Sequence, residues 1–103
     1  MSVHTFFNVI TFPEGDDTEV LQAWAAIGEY MVKQPGFLGS TLYRNRNNTK
    51  LFINKGRYDS EDSFMNCVKS EEFNRLSQKL TDLGVKRIAG LYDEVTIFGG
   101  GGN

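Results

Sequence analysis

The chain has 103 residues, which suits one domain with a single hydrophobic core, and 40% of them are hydrophobic. The formal net charge is −2 at pH 7 and the basic residues form no run, so the composition argues against nucleic-acid binding. No apolar stretch is long enough to cross a membrane, the first residues lack the pattern of a signal peptide, and the only cysteine, Cys67, cannot form an internal disulfide. We therefore expect a soluble, cytoplasmic protein with one domain at 1–98 and a flexible glycine-rich tail at 99–103.

The first predicted elements are a strand and a helix. The strand runs from about Val3 to Phe12 and carries large apolar residues on both faces. After a turn, Asp17 or Thr18 begins a helix that extends to about Lys33. Its apolar residues recur at helical spacing and form one stripe: Val20, Trp24, Ile27 and Met31.

The middle of the chain predicts a β-hairpin that leads into a second helix. Strands at 37–46 and 49–58 are joined through an Asn-rich turn. Asp59 and Ser60 then offer a helix cap, and the acidic residues that follow favour the positive end of a helix.

The last part of the chain predicts a bent helix and a final strand. Ser70 looks like a new helix cap, so we expect the second helix to break or bend there and to end at Gly84. Residues 85–90 are expected to form an irregular connection, and Leu91–Phe98 a last strand.

These elements follow in the order β-α-β-β-α-β, which is the α+β, ferredoxin-like arrangement. Its two helices can cover only one face of the four-stranded antiparallel sheet. The other face would expose large apolar residues such as Phe7 and Val9, and such a patch usually marks an interface. We therefore expect a homodimer in which two sheets pack face to face.

Four segments together carry a resemblance to a known family: 6–12 in the first strand, 35–44 after the first helix, 58–64 at a strand-to-helix junction, and 69–73 at the helix break. In order and spacing they resemble the dimeric α/β-barrel proteins of the antibiotic-biosynthesis-monooxygenase family. The resemblance implies a ligand cavity in each protomer, between the helices and the sheet. Members of the family include cofactor-free oxygenases that act on polyphenolic or quinol substrates, and haem-degrading enzymes.

Asn8 is the candidate catalytic residue. It lies mid-strand among large apolar residues, where a polar amide needs a partner or a ligand. It also matches the strand asparagine of the family, whose amide is proposed to hold a substrate or peroxy oxygen. The alternative is an amide that is hydrogen-bonded to a neighbouring side chain or water.

The resemblance argues against haem degradation. The positions of the family's tryptophan and histidine on the second helix are Cys67 and Ser77 here, and the only histidine, His4, lies in the first strand. A haem iron needs a strong axial ligand, which Ser77 cannot supply. We therefore expect no cofactor, and the sequence shows no cluster of metal ligands.

Six residues are expected to bind a ligand in the implied cavity: Trp24, Tyr58, Phe64, Cys67, Phe73 and Ser77. Trp24 could instead be a core residue, as is usual for an aromatic side chain at helical spacing. Cys67 could equally be a small buried apolar residue, because no histidine lies nearby in sequence to activate it. His4 shares strand parity with Asn8, which allows a general base beside the amide, although a histidine near a chain end is often only solvated.

The sequence therefore predicts a cofactor-independent monooxygenase for a small aromatic, polyphenolic or quinol-like compound. The alternative is a protein that binds a hydrophobic small molecule without chemistry.

Overall fold

The computed structural model describes residues 3–100; Met1, Ser2 and residues 101–103 of the predicted tail lie outside this range. Four strands and three helices are formed. In chain order they are β1 (His4–Thr11), α1 (Thr18–Met31), β2 (Phe37–Arg44), β3 (Leu51–Tyr58), α2 (Glu61–Lys69), α3 (Glu71–Asp82) and β4 (Lys86–Tyr92).

The strands form one antiparallel sheet in the order β2-β3-β1-β4, which is the predicted ferredoxin-like topology. β1 therefore lies in the middle, with β3 on one side and β4 on the other. The register places Asn8 opposite Asn54 of β3 and opposite Ala89 of β4. This row of three residues crosses the centre of the sheet.

The prediction for the last strand is wrong. β4 covers Lys86–Tyr92, where an irregular connection was expected, and the expected strand Leu91–Phe98 leaves the sheet after Tyr92. Pairing with β1 fixes β4, because Val9 lies opposite Ile88, and this long-range pairing outweighs the β-propensity of the later residues. Val95 beyond the strand is 93% exposed.

The second helix breaks at Ser70, as predicted. The Ser70 hydroxyl accepts a hydrogen bond from the Phe73 backbone N–H (3.1 Å) and donates to the Cys67 carbonyl (2.9 Å), so it caps α3 and closes α2. The Tyr30 hydroxyl of α1 also donates to it (2.8 Å). One serine therefore joins all three helices.

The three helices cover one face of the sheet. Ile10 of β1, Phe12 just after β1 and Phe52 of β3 belong there to the core that α1 and α3 cover, and the Phe12 and Phe52 rings stack at 4.1 Å. None of the helices in the described range is both long and apolar enough to span a membrane.

No helix or loop of the described residues covers the opposite face of the sheet. It carries a row of large side chains that stay substantially exposed: Tyr43, Ile53, Ile88 and Tyr92. The strand residues thus alternate between a covered face and an open face, and the prediction that apolar residues occupy both is confirmed.

Gly36 connects the start of β2 to the junction between β3 and α2. Its φ is +82°, and its carbonyl accepts a hydrogen bond from the Asp59 backbone N–H (2.9 Å). A Cβ at this position would collide with Ser63 and Asp59. Glycine is therefore required here by both conformation and space. The close approach at Gly36 places two of the segments that carry the family resemblance, 35–44 and 58–64, side by side.

Candidate functional site

A cavity of about 490 Å³ lies between the covered face of the sheet and the helices. This volume falls within the range of small-molecule binding sites, roughly 300–1,000 Å³. The space exists because small residues stand where large ones would fill it, among them Ser40, Gly56, Ala89 and Gly90 from the sheet and Gly28 from α1. A Cβ added at Gly28 or Gly90 would meet nothing within 4 Å.

Two asparagines form the floor of the cavity. Asn8 and Asn54 are each only 8% exposed, and the Oδ1 atoms of both are buried without a hydrogen-bond partner within the described residues. Leaving a buried amide oxygen unpaired costs about 1–3 kcal/mol. Because both asparagines line the cavity, their amides are expected to form hydrogen bonds with a ligand.

Aromatic side chains close one end of the cavity. Phe64 packs against Phe6 and against Tyr58, with ring centroids 5.2 Å apart in both pairs, and Phe37 meets Tyr58 edge-on at 5.5 Å. These contacts make the wall one continuous cluster of packed rings. A flat aromatic ligand would find rings on which it can stack.

α1 and α3 form the roof. Trp24, Ile27 and Met31 descend from α1, and Phe73 and Leu80 from α3. Trp24 is partly buried against the core and lines the cavity as well, so its position agrees with the core prediction and leaves ligand binding by this side chain a prediction.

Arg87 of β4 lies on the side of the cavity formed by the C-terminal half of α3. Its guanidinium donates to the Ser77 carbonyl through Nη1 (3.3 Å) and to the Thr81 hydroxyl through Nη2 (2.8 Å). Burial lowers the pKa of Arg87, because the charged form is partly removed from water. Among the described residues that line the cavity, it alone carries a formal charge.

Two further titratable side chains lie in or beside the cavity. Burial raises the pKa of the Tyr58 phenol above its ordinary value, and the nearby Cys67 adds to this. Burial also raises the pKa of the Cys67 thiol. Both groups are therefore held in their neutral, protonated forms, and neither is set up as a base or a nucleophile.

The structure brings most of the predicted site residues together around the cavity: Asn8, Trp24, Tyr58, Phe64, Phe73 and Ser77. Cys67 is not among the residues that line it; the side chain is 3% exposed and belongs to the core. His4 also lies outside this cavity and borders a separate depression with Glu61 and Tyr92.

Asn54 and Arg87 are lining residues that sequence reasoning missed. The parity of β3 places Asn54 on the same face as the buried Phe52 and Tyr58, so the pattern of alternation contained a signal for it. Arg87 lay in the segment that was expected to be irregular, so it could not be assigned to a face. Within residues 3–100, no group of three or more His, Cys, Asp or Glu side chains could hold a metal ion.

The sequence model of the antibiotic biosynthesis monooxygenase family matches residues 4–79. This match spans β1 through most of α3 and so includes both floor asparagines. The chain belongs to the antibiotic biosynthesis monooxygenase family. No curated protein sequence matches it.

Several solved structures share this fold. SnoaB, a cofactor-independent oxygenase from Streptomyces nogalater, superposes with a TM-score of 0.83 at 23% identity, over 96% of this chain and 99% of SnoaB. A conserved protein from Methanosarcina mazei Go1 superposes with a TM-score of 0.80 at 14% identity, over 90% of this chain and 93% of that chain. An antibiotic biosynthesis monooxygenase superposes with a TM-score of 0.71 at 15% identity, over 89% of this chain and 99% of that chain. At these identities the similarity establishes the fold.

Proposed function

We propose that this protein is a cofactor-independent monooxygenase that acts on a small aromatic, polyphenolic or quinol-like compound. One observation carries the proposal: Asn8 and Asn54, whose buried amide oxygens have no hydrogen-bond partner within residues 3–100, form the floor of an aromatic cavity. Family membership supports it, as does the fold shared with SnoaB, a cofactor-independent oxygenase that was also solved as a variant with one asparagine replaced by alanine.

The chemistry of such a substrate can dispense with a cofactor. When a phenol is converted to a quinone by O2, one oxygen atom forms the new carbonyl on the ring. The other leaves as water with two hydrogens from the substrate, one from the ring carbon and one from the hydroxyl. The substrate supplies all the electrons, so the protein's task is to orient the reactants and to stabilise charge.

The cavity residues suit these tasks. The amides of Asn8 and Asn54 can form hydrogen bonds with a substrate in the cavity, and their N–H groups can donate to an oxygen that gains negative charge. Trp24 and Phe6 offer rings against which a substrate ring can pack. The apolar roof limits the access of water and so strengthens each polar contact.

The decisive experiment measures oxygen uptake with a panel of quinols and phenols. We expect turnover with at least one compound and its loss in Asn8→Ala, because removal of one charge-stabilising donor costs about 10²–10³ in rate. Asn66→Ala is the control, since Asn66 is exposed on α2 and distant in sequence from the floor. Unchanged oxygen uptake in Asn8→Ala would contradict the proposal.

A second candidate function is the binding of a hydrophobic small molecule without reaction. It is favoured by the absence of any Asp, Glu or His from the side chains that line the cavity in the described part of the chain. Native mass spectrometry separates the two functions. A co-purified aromatic compound that is released unchanged in the presence of oxygen supports binding alone.

The open face of the sheet supports a homodimer in which two sheets pack together. Tyr43, Ile53 and Ile88 form an exposed apolar row there, and Phe7 and Val9 of β1 lie between them. Such a face is self-complementary under a two-fold axis, and an apolar patch of this kind is typical of an interface.

A further inference from the structure

Arg87 is a charged residue in a cavity that is otherwise neutral. The β4 register places Arg87 opposite Ile10, which is fully buried, so the Arg87 side chain leaves the sheet on its covered face. Its two hydrogen bonds go to a backbone carbonyl and to a hydroxyl, and neither acceptor carries a charge.

Within residues 3–100, no carboxylate forms an ion pair with Arg87. The described residues contain two salt bridges, Lys50 with Asp17 and Arg75 with Glu72, and Arg87 belongs to neither. Partial removal of an unpaired cation from water is unfavourable, as the lowered pKa of Arg87 also indicates. A guanidinium has five N–H donors, and only two are used. An anionic group of a ligand would satisfy both the charge and the remaining donors.

We propose that Arg87 is the anion-binding residue of the cavity, and that the bound aromatic compound carries an anionic oxygen, from a carboxylate or an ionised enol or phenol. The aromatic nature of the ligand rests on the proposed function; the charge rests on Arg87 alone. The planar fork of the guanidinium suits a carboxylate in a bidentate geometry and can also bind a single anionic oxygen.

The position of Arg87 fixes how the ligand lies. Ala89, opposite Asn8, is two residues from Arg87 along β4, which is about 7 Å on an extended strand. The anionic oxygen therefore binds next to α3, and the ring extends over the floor asparagines toward the aromatic wall. The ligand is anchored by charge at one end and by stacking at the other.

Matched aromatic pairs test this assignment without any requirement for turnover. Naphthoate is compared with its neutral counterpart naphthamide, and the anion of hydroxynaphthoquinone with neutral methoxynaphthoquinone, with Trp24 fluorescence or calorimetry as the readout. We expect the wild-type protein to bind at least one charged member about tenfold or more tightly than its neutral partner. Tighter binding of the anion in the first pair alone identifies a carboxylate as the group that Arg87 binds. Tighter binding of the anion in the second pair alone identifies an ionised enol.

Variants separate ligand binding from a structural contribution of Arg87 to the end of α3. Arg87→Gln should remove the preference for the charged member and leave the affinity for the neutral member unchanged, whereas Arg87→Lys should keep part of the preference. Lys79→Gln is the matched control, because it removes an exposed positive charge from α3. Should Arg87→Gln fail to fold, wild-type protein still gives the answer, because only a charge-assisted complex weakens as salt is added.

Three results would overturn the assignment: equal affinities within both pairs, a preference that survives in Arg87→Gln, or no binding of any of the four compounds. The test is distinguishable from that of the proposed function. A preference for the anion without oxygen uptake refutes the monooxygenase and leaves the anion site in place. Oxygen uptake without such a preference refutes the anion site alone.

Discussion

Asn8 and Asn54 lie directly opposite each other on adjacent strands, and the side-chain oxygen of each is buried without a hydrogen-bond partner in the part of the chain that the structure describes. Two unsatisfied amides side by side in the centre of a sheet are unfavourable for folding. Such a cost is expected in a binding site, because the polar groups that bind a ligand lower the stability of the ligand-free fold.

The first prediction is that Asn54→Leu stabilises the fold and impairs the site. Leucine has the same number and branching of side-chain heavy atoms and no polar atom to leave unpaired, so we expect the free energy of unfolding to rise by about 1 kcal/mol. Binding of quinols should be lost in the same variant. Urea denaturation measures the first effect and calorimetry the second.

Asn66→Leu is the control for this substitution, because Asn66 is exposed and its replacement should change stability by no more than about 0.5 kcal/mol. A destabilised Asn54→Leu would show that the Asn54 amide is satisfied in solution, contrary to the structure.

The second prediction concerns two glycines with opposite surroundings. Gly36→Ala should destabilise the protein by more than about 1 kcal/mol, because the residue has a positive φ and no space for a Cβ beside Ser63. Gly28→Ala should stabilise it by up to about 1 kcal/mol, because Gly28 lies within α1 and a Cβ there meets open space. Thermal unfolding of both variants measures the contrast. Equal effects of the two substitutions would contradict this account.

The third prediction is that Tyr30 and Ser70 are energetically coupled. Ser70→Ala removes the cap of α3 and should cost about 1 kcal/mol, with a further loss because the Tyr30 hydroxyl loses its acceptor. Tyr30→Phe should cost less, since Ser70 keeps its bonds to Phe73 and Cys67. A double-mutant cycle in urea should give a coupling energy of at least about 0.5 kcal/mol. Strict additivity would show that the hydrogen bond contributes nothing.

Much of this architecture could be predicted from local signals in the sequence. The break at Ser70 could be predicted because a serine before two acidic residues is a helix-start pattern. The apolar residues on both faces of β1 could be predicted from the alternation along the strand. The last strand was not, because small residues such as Ala89 and Gly90 have low β-propensity and their strand is fixed by long-range pairing with β1. The anion-binding candidate Arg87 was missed for the same reason, whereas Asn8 could be found because its strand was correctly placed.

The fourth prediction concerns stability at alkaline pH. Because burial raises the pKa of Tyr58, the folded protein keeps this phenol protonated at pH values where an unfolded tyrosine, with its ordinary pKa of 10.0, has lost its proton. The unfolded state then binds fewer protons, so stability is complete below pH 10.0 and falls as pH rises above it.

Tyr58→Phe removes this dependence and is therefore the test. The difference in unfolding free energy between wild type and Tyr58→Phe should be constant below pH 10.0 and should shift in favour of the variant above it. Cys67 is present in both proteins, so its own titration does not account for such a difference. Parallel pH profiles would indicate that the phenol reaches water in the folded state.

The fifth prediction is that one acidic substitution on the open face of the sheet converts a dimer into monomers. Ile88 is 72% exposed in the protomer and lies opposite Val9 in the open-face row, so a face-to-face dimer would bury it. Ile88→Glu would then place a charge in an apolar interface, which is strongly unfavourable. Leu21→Glu is the matched control, because Leu21 is 45% exposed on α1, on the other side of the protein. Sedimentation should show dimers for wild type and Leu21→Glu and monomers for Ile88→Glu. A wild-type protein that remains monomeric at micromolar concentration would refute the dimer, and the open apolar face would then need a different partner.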